Sequence, residues 1–334
     1  MTEKEKFVVI GSNSFSGACF SDYVLKDNPS AEIIGISRSP EYKDCFLPYK
    51  KSGIDRFSFH QLDLNRDGDK IVKMIREVCP DYIVNFSAQG MVAESWSQPR
   101  QWFQTNCLGI INLVHELKED AYLKRYVQIS SPEVYGSCSG KITEDAPLNP
   151  STPYAASKAS GDLSIIPYFK NYNFPLIFTR ATNVYGAYQQ LYRIIPRTIL
   201  YIKMGQKIQL HGGGKAVKSY IHIRDVCAAT LGLIRSGING EIYNISPDDD
   251  GVSIHHLVKM VAEKMGRKLD DCVTISDDRL GQDPFYRIDS SKVREETGWR
   301  PKIAIDEGID EVIEWIEEHF HELRKLPLDY IHKV

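Results

Sequence analysis

A chain of 334 residues with 42% hydrophobic and 25% charged residues can bury a large core as one or two domains, without metal or disulfide staples. Its 41 Lys and Arg against 44 Asp and Glu leave a formal net charge of −3, so no overall basic field favours a nucleic-acid backbone. No apolar run approaches the roughly 18 residues of a membrane span, and the charged residues 1–6 do not open a secretory signal, so a soluble, cytoplasmic chain is expected.

The apolar run at 7–10 reads as a first strand. Gly11-Ser12-Asn13-Ser14-Phe15-Ser16-Gly17 follows it and opens a helical pattern at 16–25. A glycine loop between a strand and a helix suits a dinucleotide pyrophosphate: Gly11 permits the tight turn, Gly17 permits close packing, and the helix N-terminus offers N–H groups. Ser14 takes the usual middle-glycine position, so its side chain must turn away from the phosphates or bond them.

The next run, 32–37, ends in Ser37-Arg38-Ser39. A carboxylate there would accept from the ribose 2′-hydroxyl of NAD, whereas an Arg flanked by hydroxyls suits a 2′-phosphate. The cofactor expected is therefore NAD or NADP, with Arg38 favouring NADP. Asp63-Leu64, after a run at 56–62, is placed to meet the adenine edge. Further runs at 82–86, 126–130 and 175–180 alternate with helical patterns. This reads as parallel βαβ units, a Rossmann-type doubly wound α/β sheet.

Tyr154-Ala-Ala-Ser-Lys158 places Tyr and Lys on one helix face. A Lys and a positive nicotinamide ring lower a phenol pKa by charge attraction, so the Tyr can act as a base near neutral pH. After about 187 the pattern changes to a helix at 194–204, the Gly-rich 211–214 and short elements. The last helical pattern is at 307–324, with Val312, Ile313, Ile316 and Phe320 on one face. The expected division is a dinucleotide-binding part, 1–180, and a smaller, interleaved substrate-binding part, 181–334.

Seven cysteines (Cys19, Cys45, Cys79, Cys107, Cys138, Cys227 and Cys272) include no C-x-x-C pair, so reduced thiols are expected and no metal site. His222, His255 and His256 lack metal-ligand spacing and read as structural or surface residues.

Several blocks together resemble the extended short-chain dehydrogenases/reductases, and within them the nucleotide-sugar 4,6-dehydratases, over about residues 6–318. They are Gly11 to Gly17, Asn85-Phe-Ser-Ala-Gln-Gly-Met-Val-Ala-Glu-Ser95, Asn106, Ser130-Ser131-Pro132-Glu133-Val134-Tyr135-Gly136, Tyr154 with Lys158, and 180–186. The last is Asp278-Arg279-Leu-Gly-Gln-Asp283-Pro-Phe-Tyr286-Arg-Ile-Asp289. The resemblance implies that Ala88 and Asn106 join the cofactor site. It also implies that Asn183, Lys218, Arg279 and Tyr286 bind the nucleotide-sugar diphosphate end, with 189–193 and Pro196 near the base. Lys218 stands where the family commonly has Arg and loses the bidentate fork.

The implied chemistry oxidises the sugar at C4, with Tyr154 taking the hydroxyl proton and Ser131 hydrogen-bonding the 4-oxygen. Glu133 removes the C5 proton, water leaves C6, and hydride returns there. The family's usual triad is Thr-Asp-Glu, and here Pro132 replaces the acid. Either Glu133 hands its proton to the leaving hydroxyl, or water or another side chain does so. The alternatives are decarboxylation of a uronate, epimerisation, a different elimination, or a non-catalytic dinucleotide sensor. The resemblance further implies a homodimer through helices at 99–117 and 154–172.

Overall fold

The computed structural model describes residues 4–137, 140–276 and 287–333. Its centre is a seven-stranded sheet: β1 (Lys6–Ile10), β2 (Glu32–Ser37), β3 (Phe57–Gln61), β4 (Tyr82–Asn85), β5 (Arg125–Ile129), β6 (Leu176–Ala181) and β7 (Ile242–Ile245). The order is β7-β6-β5-β4-β1-β2-β3, and every neighbouring pair is parallel. The expected doubly wound sheet is therefore present.

Alternate residues of β1 feed two separate cores. Phe7 and Val9 pack with Ala18, Phe20 and Val24 of α1 (Phe15–Asp27). Val8 and Ile10 pack with Ile71 and Ile75 of α2 (Gly68–Val78) and with Leu113 and Leu117 of α3 (Gly109–Leu117). Burial on both faces is why these strands read as unbroken apolar runs rather than alternating ones.

α4 (Pro153–Tyr172) lies against the segment Gln104–Leu108 that leads into α3. A Cβ at Gly161 would stand 2.0 Å from the Asn106 carbonyl oxygen, so only glycine lets the two backbones approach this closely. A third core joins later elements: Ile195 and Ile199 of α5 (Ile194–Lys203), Leu257 and Val261 of α7 (Ile254–Lys264), and Val312 and Ile316 of α8 (Ile305–Leu323). Ile313 and Phe320, expected on the same face of α8, pack against it while partly exposed.

β7 was not anticipated. It comes from beyond residue 181 and completes the sheet beside β6, while α6 (Ile223–Ser236) adds Ala229 and Leu233 to the core of β1. The run Ile242-Tyr-Asn-Ile245 is short and holds a polar residue. Asn244 is tolerated there because its N–H donates to Glu144 Oε1 at 2.8 Å and its Oδ1 accepts from Tyr135 at 3.1 Å. The chain reverses its winding between β1 and β4, and the crevice beyond their C-terminal ends is where an open α/β sheet binds ligands.

Candidate active site

The two strands at that reversal almost touch. Gly11 adopts φ +85°, and a Cβ on it would lie 2.8 Å from Phe86 C and Ser87 N. A Cβ on Gly17 would fall 2.4 Å from the Gly11 carbonyl oxygen. Ser14 turns back to cap α1, its Oγ accepting from Gly17 N–H at 3.0 Å, so its side chain is held by its own helix. Ser12 is fully buried and Phe15 lies in the core below. Asn13 donates its N–H to Ser37 Oγ at 2.9 Å, and its Nδ2 to the carbonyls of Ser39 and Pro40. The result is a rigid loop with the N-terminus of α1 opening at the crevice, a cradle that fits a dinucleotide pyrophosphate.

Around this cradle Ala88 is exposed, and Leu64 packs into the core under β2. Asp63 is engaged locally, its Oδ1 accepting from Asn65 N–H at 2.8 Å. Asn106 is fully buried: its Oδ1 accepts from Gln89 N–H, and its Nδ2 donates to the Gln89 carbonyl and to Ser157 Oγ. That side chain clamps the loop after β4 to α4.

Thr152 caps α4 through Ala155 N–H, with Pro153 at the first helical position, and this sets the phase of Tyr154 and Lys158 one turn apart. Lys158 is buried and donates from Nζ to the Ile129 carbonyl at 2.8 Å, at the end of β5. Immediately beyond, Ser131 caps the turn Pro132–Tyr135, its Oγ accepting from Glu133 N–H at 3.3 Å. Pro132 begins that turn and is buried.

Ser131, Glu133 and Tyr154 share one electrostatic environment. Burial pushes the Tyr154 phenol up and the Glu133 charge adds to this; a hydrogen bond with Ser131 and the charge of Arg193 pull it down. The protein alone thus does not lower this phenol below its ordinary range; the expected lowering also draws on the charge of a nicotinamide ring. Burial also pushes the Lys158 amine down to about 8, with Asp162 opposing and Arg180 assisting.

On the other side of the crevice, Asn183 lies in the strand Asn183–Tyr185 and donates from Nδ2 to the Ser219 carbonyl at 3.0 Å. Lys218 lies in Val217–Lys218, paired with Val252–Ser253. Arg279 and Tyr286 fall outside the described residues, as does Cys138. His222 caps α6 through Arg224 N–H and is buried beside Glu311.

The C-terminal residues were missed by sequence reasoning. The Lys333 carbonyl accepts from both Arg38 Nη2 and Gln89 Nε2, each at 3.1 Å, so the chain end bridges the tips of β2 and β4. Tyr330 packs edge-on against Tyr192. A segment with no helical or strand periodicity leaves no pattern from which to read this; its only mark is two aromatic-type residues, Tyr330 and His332, spaced by one.

Residues 8–312 match the family model described as GDP-mannose 4,6 dehydratase. The chain is 32% identical to the dTDP-D-glucose 4,6-dehydratase of Bos taurus, over 95% of this chain and 90% of that protein. Among solved structures it resembles the dTDP-glucose 4,6-dehydratase of Bacillus anthracis in complex with NAD. The TM-score is 0.87 at 29% identity, covering 97% of this chain and all of that one. The Streptomyces venezuelae dTDP-glucose 4,6-dehydratase with NAD bound gives a TM-score of 0.86 at 29% identity, covering 95% and 98%.

Proposed function

The chain belongs to the GDP-mannose 4,6-dehydratase family of extended short-chain dehydrogenases/reductases, and from that premise we propose that it is an NAD-dependent nucleotide-sugar 4,6-dehydratase. It converts an NDP-hexose to an NDP-4-keto-6-deoxyhexose, with dTDP-glucose the first substrate to test because the relatives carry that name. The observation that carries this reading is the convergence of Ser131, Glu133, Tyr154 and Lys158 at the end of β5, beside the cradle formed by Gly11 to Gly17.

When bound, the nicotinamide supplies the hydride acceptor and donor and a fixed positive charge in its oxidised form. Residues 11–17, Ser37, Arg38, Ala88 and Lys158 would hold the dinucleotide. Ser131 hydrogen-bonds the sugar 4-oxygen and Tyr154 takes its proton, with the charged Lys158 holding the phenolate. Glu133 takes the C5 proton once the 4-ketone has acidified it. Pro132 has no proton to give, so Glu133 returns its captured proton to the departing C6 hydroxyl, and when C6 regains hydride a solvent proton restores C5. One carboxylate serving both bonds requires a syn elimination.

NAD is the cofactor in both solved relatives above. On that support we take NAD as the cofactor, although Arg38 had favoured NADP; one Arg38 donor, Nη2, bonds the Lys333 carbonyl and the rest of the guanidinium stays available to the dinucleotide. Residues 181–334 are proposed to supply most of the nucleotide-sugar site, through Asn183 and Lys218, with Arg279 and Tyr286 from the sequence resemblance. A homodimer is supported by exposed Phe103, Leu108, Leu163 and Tyr172 on the paired helical segments. Six described cysteines are free thiols, which suits a reducing cytoplasm.

Purified protein incubated with a panel of NDP-hexoses and NDP-uronates tests the reaction by product mass. Loss of water from an NDP-hexose is expected. Loss of carbon dioxide from a uronate, or an unchanged mass with an altered sugar, would select the alternatives that Pro132 keeps open.

A further inference from the structure

One turn beyond Lys158 on α4, Asp162 is buried to 2% exposure. Its Oδ2 accepts from Ser130 Oγ at 2.5 Å and from Arg180 Nη2 at 2.9 Å. Ser130 immediately precedes Ser131, and Arg180 projects from β6 with 1% exposure. Its guanidinium carbon lies 4.8 Å from the centre of the Tyr135 ring, and Tyr135 ends the turn that carries Glu133. A single carboxylate oxygen therefore ties together α4, the segment after β5 and β6. Burying a charged pair is costly unless geometry and hydrogen bonding are good, and neither residue was assigned a role in the chemistry above.

We propose that Asp162 is a positioning residue for the dehydratase reaction: it fixes Ser131 and Glu133 against Tyr154 and, paired with Arg180, balances the charge beside Lys158. The proposal rests on the reading of the reaction given above. Lys158 faces Tyr154 and Asp162 from its own helix and Arg180 from β6. Glu133 and Arg193 act on Tyr154, and Glu144 lies behind Tyr135. The Asp162 charge holds protons on both Lys158 and Tyr154, while the Arg180 charge drives them off Lys158. Loss of Asp162 then leaves Arg180 unbalanced, and both groups titrate at lower pH.

The test is the pH profile of C4 oxidation in a single turnover with dTDP-glucose, read from reduced cofactor, for Asp162→Asn, Arg180→Met and the double variant. Asp162→Asn should move both limbs of the profile acidward by about one pH unit. Arg180→Met should move the alkaline limb the other way, and the double variant should return towards the wild-type position. Arg180→Lys should keep that position. Thermal unfolding and bound-cofactor content establish which variants fold; if Asp162→Asn does not, the direction of the Arg180→Met shift decides. Profiles that lose height without moving would overturn the proposal.

A second readout needs no substrate. Ultraviolet difference titration of the NAD-loaded enzyme against Tyr154→Phe reports Tyr154 ionisation, which should occur at lower pH in Asp162→Asn. If wild-type protein oxidises no NDP-hexose, the proposed reaction fails, while this titration still decides the role of Asp162.

Discussion

The imidazole of His332 lies flat on the indole of Trp102, with ring centroids 5.2 Å apart and planes within 10°. Its Nε2 also shares a hydrogen bond with Gln101 Oε1 at 2.6 Å, and Trp102 is fully buried. The next residue, Lys333, is held by Arg38 and Gln89, both on the rim of the cofactor cradle. The chain end thus runs as a strap from the helical segment Pro99–Phe103 to the tip of β2.

Removing residues 327–334 should weaken NAD retention by about 10-fold, as expected from losing one or two hydrogen bonds and an aromatic contact. It should also shift Trp102 fluorescence to longer wavelength as the indole meets water. Equilibrium NAD binding and the emission spectrum check both effects; unchanged binding would show that the strap does not hold the cofactor wall.

Glu133→Gln removes the proposed base but keeps the shape of the side chain. C4 oxidation should persist while formation of the 6-deoxy product falls by about 10²–10⁴-fold. Reduced cofactor should accumulate in a single turnover, visible by absorbance. Equal loss of both steps would move the base elsewhere.

In the proposed reaction Lys158 acts while charged, and burial pushes its amine down to about 8. Activity should therefore fall as pH rises through about 8, when the ammonium gives up its proton. In kcat/KM profiles this alkaline limb should be missing from Lys158→Arg if that variant retains measurable turnover, because a guanidinium does not titrate there. An unchanged limb in the variant would assign it to another group.

His222 gives a stability prediction. Burial, then the charge of Arg224, push it down to about 4, despite Glu311 Oε2 at 3.4 Å. The unfolded chain binds this proton at about 6.5, so stability is lost as pH falls from there towards 4. His222→Asn keeps an N-cap acceptor and cannot charge. It should remove up to about 3 kcal/mol of that acid sensitivity, measured by denaturant midpoints at pH 7 and 4.5.

Gly161→Ala forces a methyl group to within 2.0 Å of the Asn106 carbonyl. It should cost about 1–3 kcal/mol of stability and lower activity with it, since Asn106 clamps Gln89 to the helix of Tyr154. Calorimetry alongside turnover checks this coupling.

Ser131 and Glu133 were readable only through the family resemblance, whereas the sequence by itself determined the doubly wound sheet, the glycine turn after β1 and the Tyr154–Lys158 spacing. Each rests on local information: apolar runs of strand length, glycines where only glycine fits, and a Tyr and Lys one helical turn apart. β7 escaped it because four residues with a buried asparagine carry no period; Asn244 is satisfied by Tyr135, Ile142 and Glu144, far away in the chain. The charge state of the Tyr154–Lys158 pair was also beyond it. Spacing brings Tyr154, Lys158 and Asp162 together on one helix, but burial and the charges of Glu133, Arg180 and Arg193 also shift the pKa values of the pair, and those three charges arrive from other places in the chain. Electrostatics in a low-dielectric interior depends on distance in space, and only the folded sheet decides which charges become neighbours.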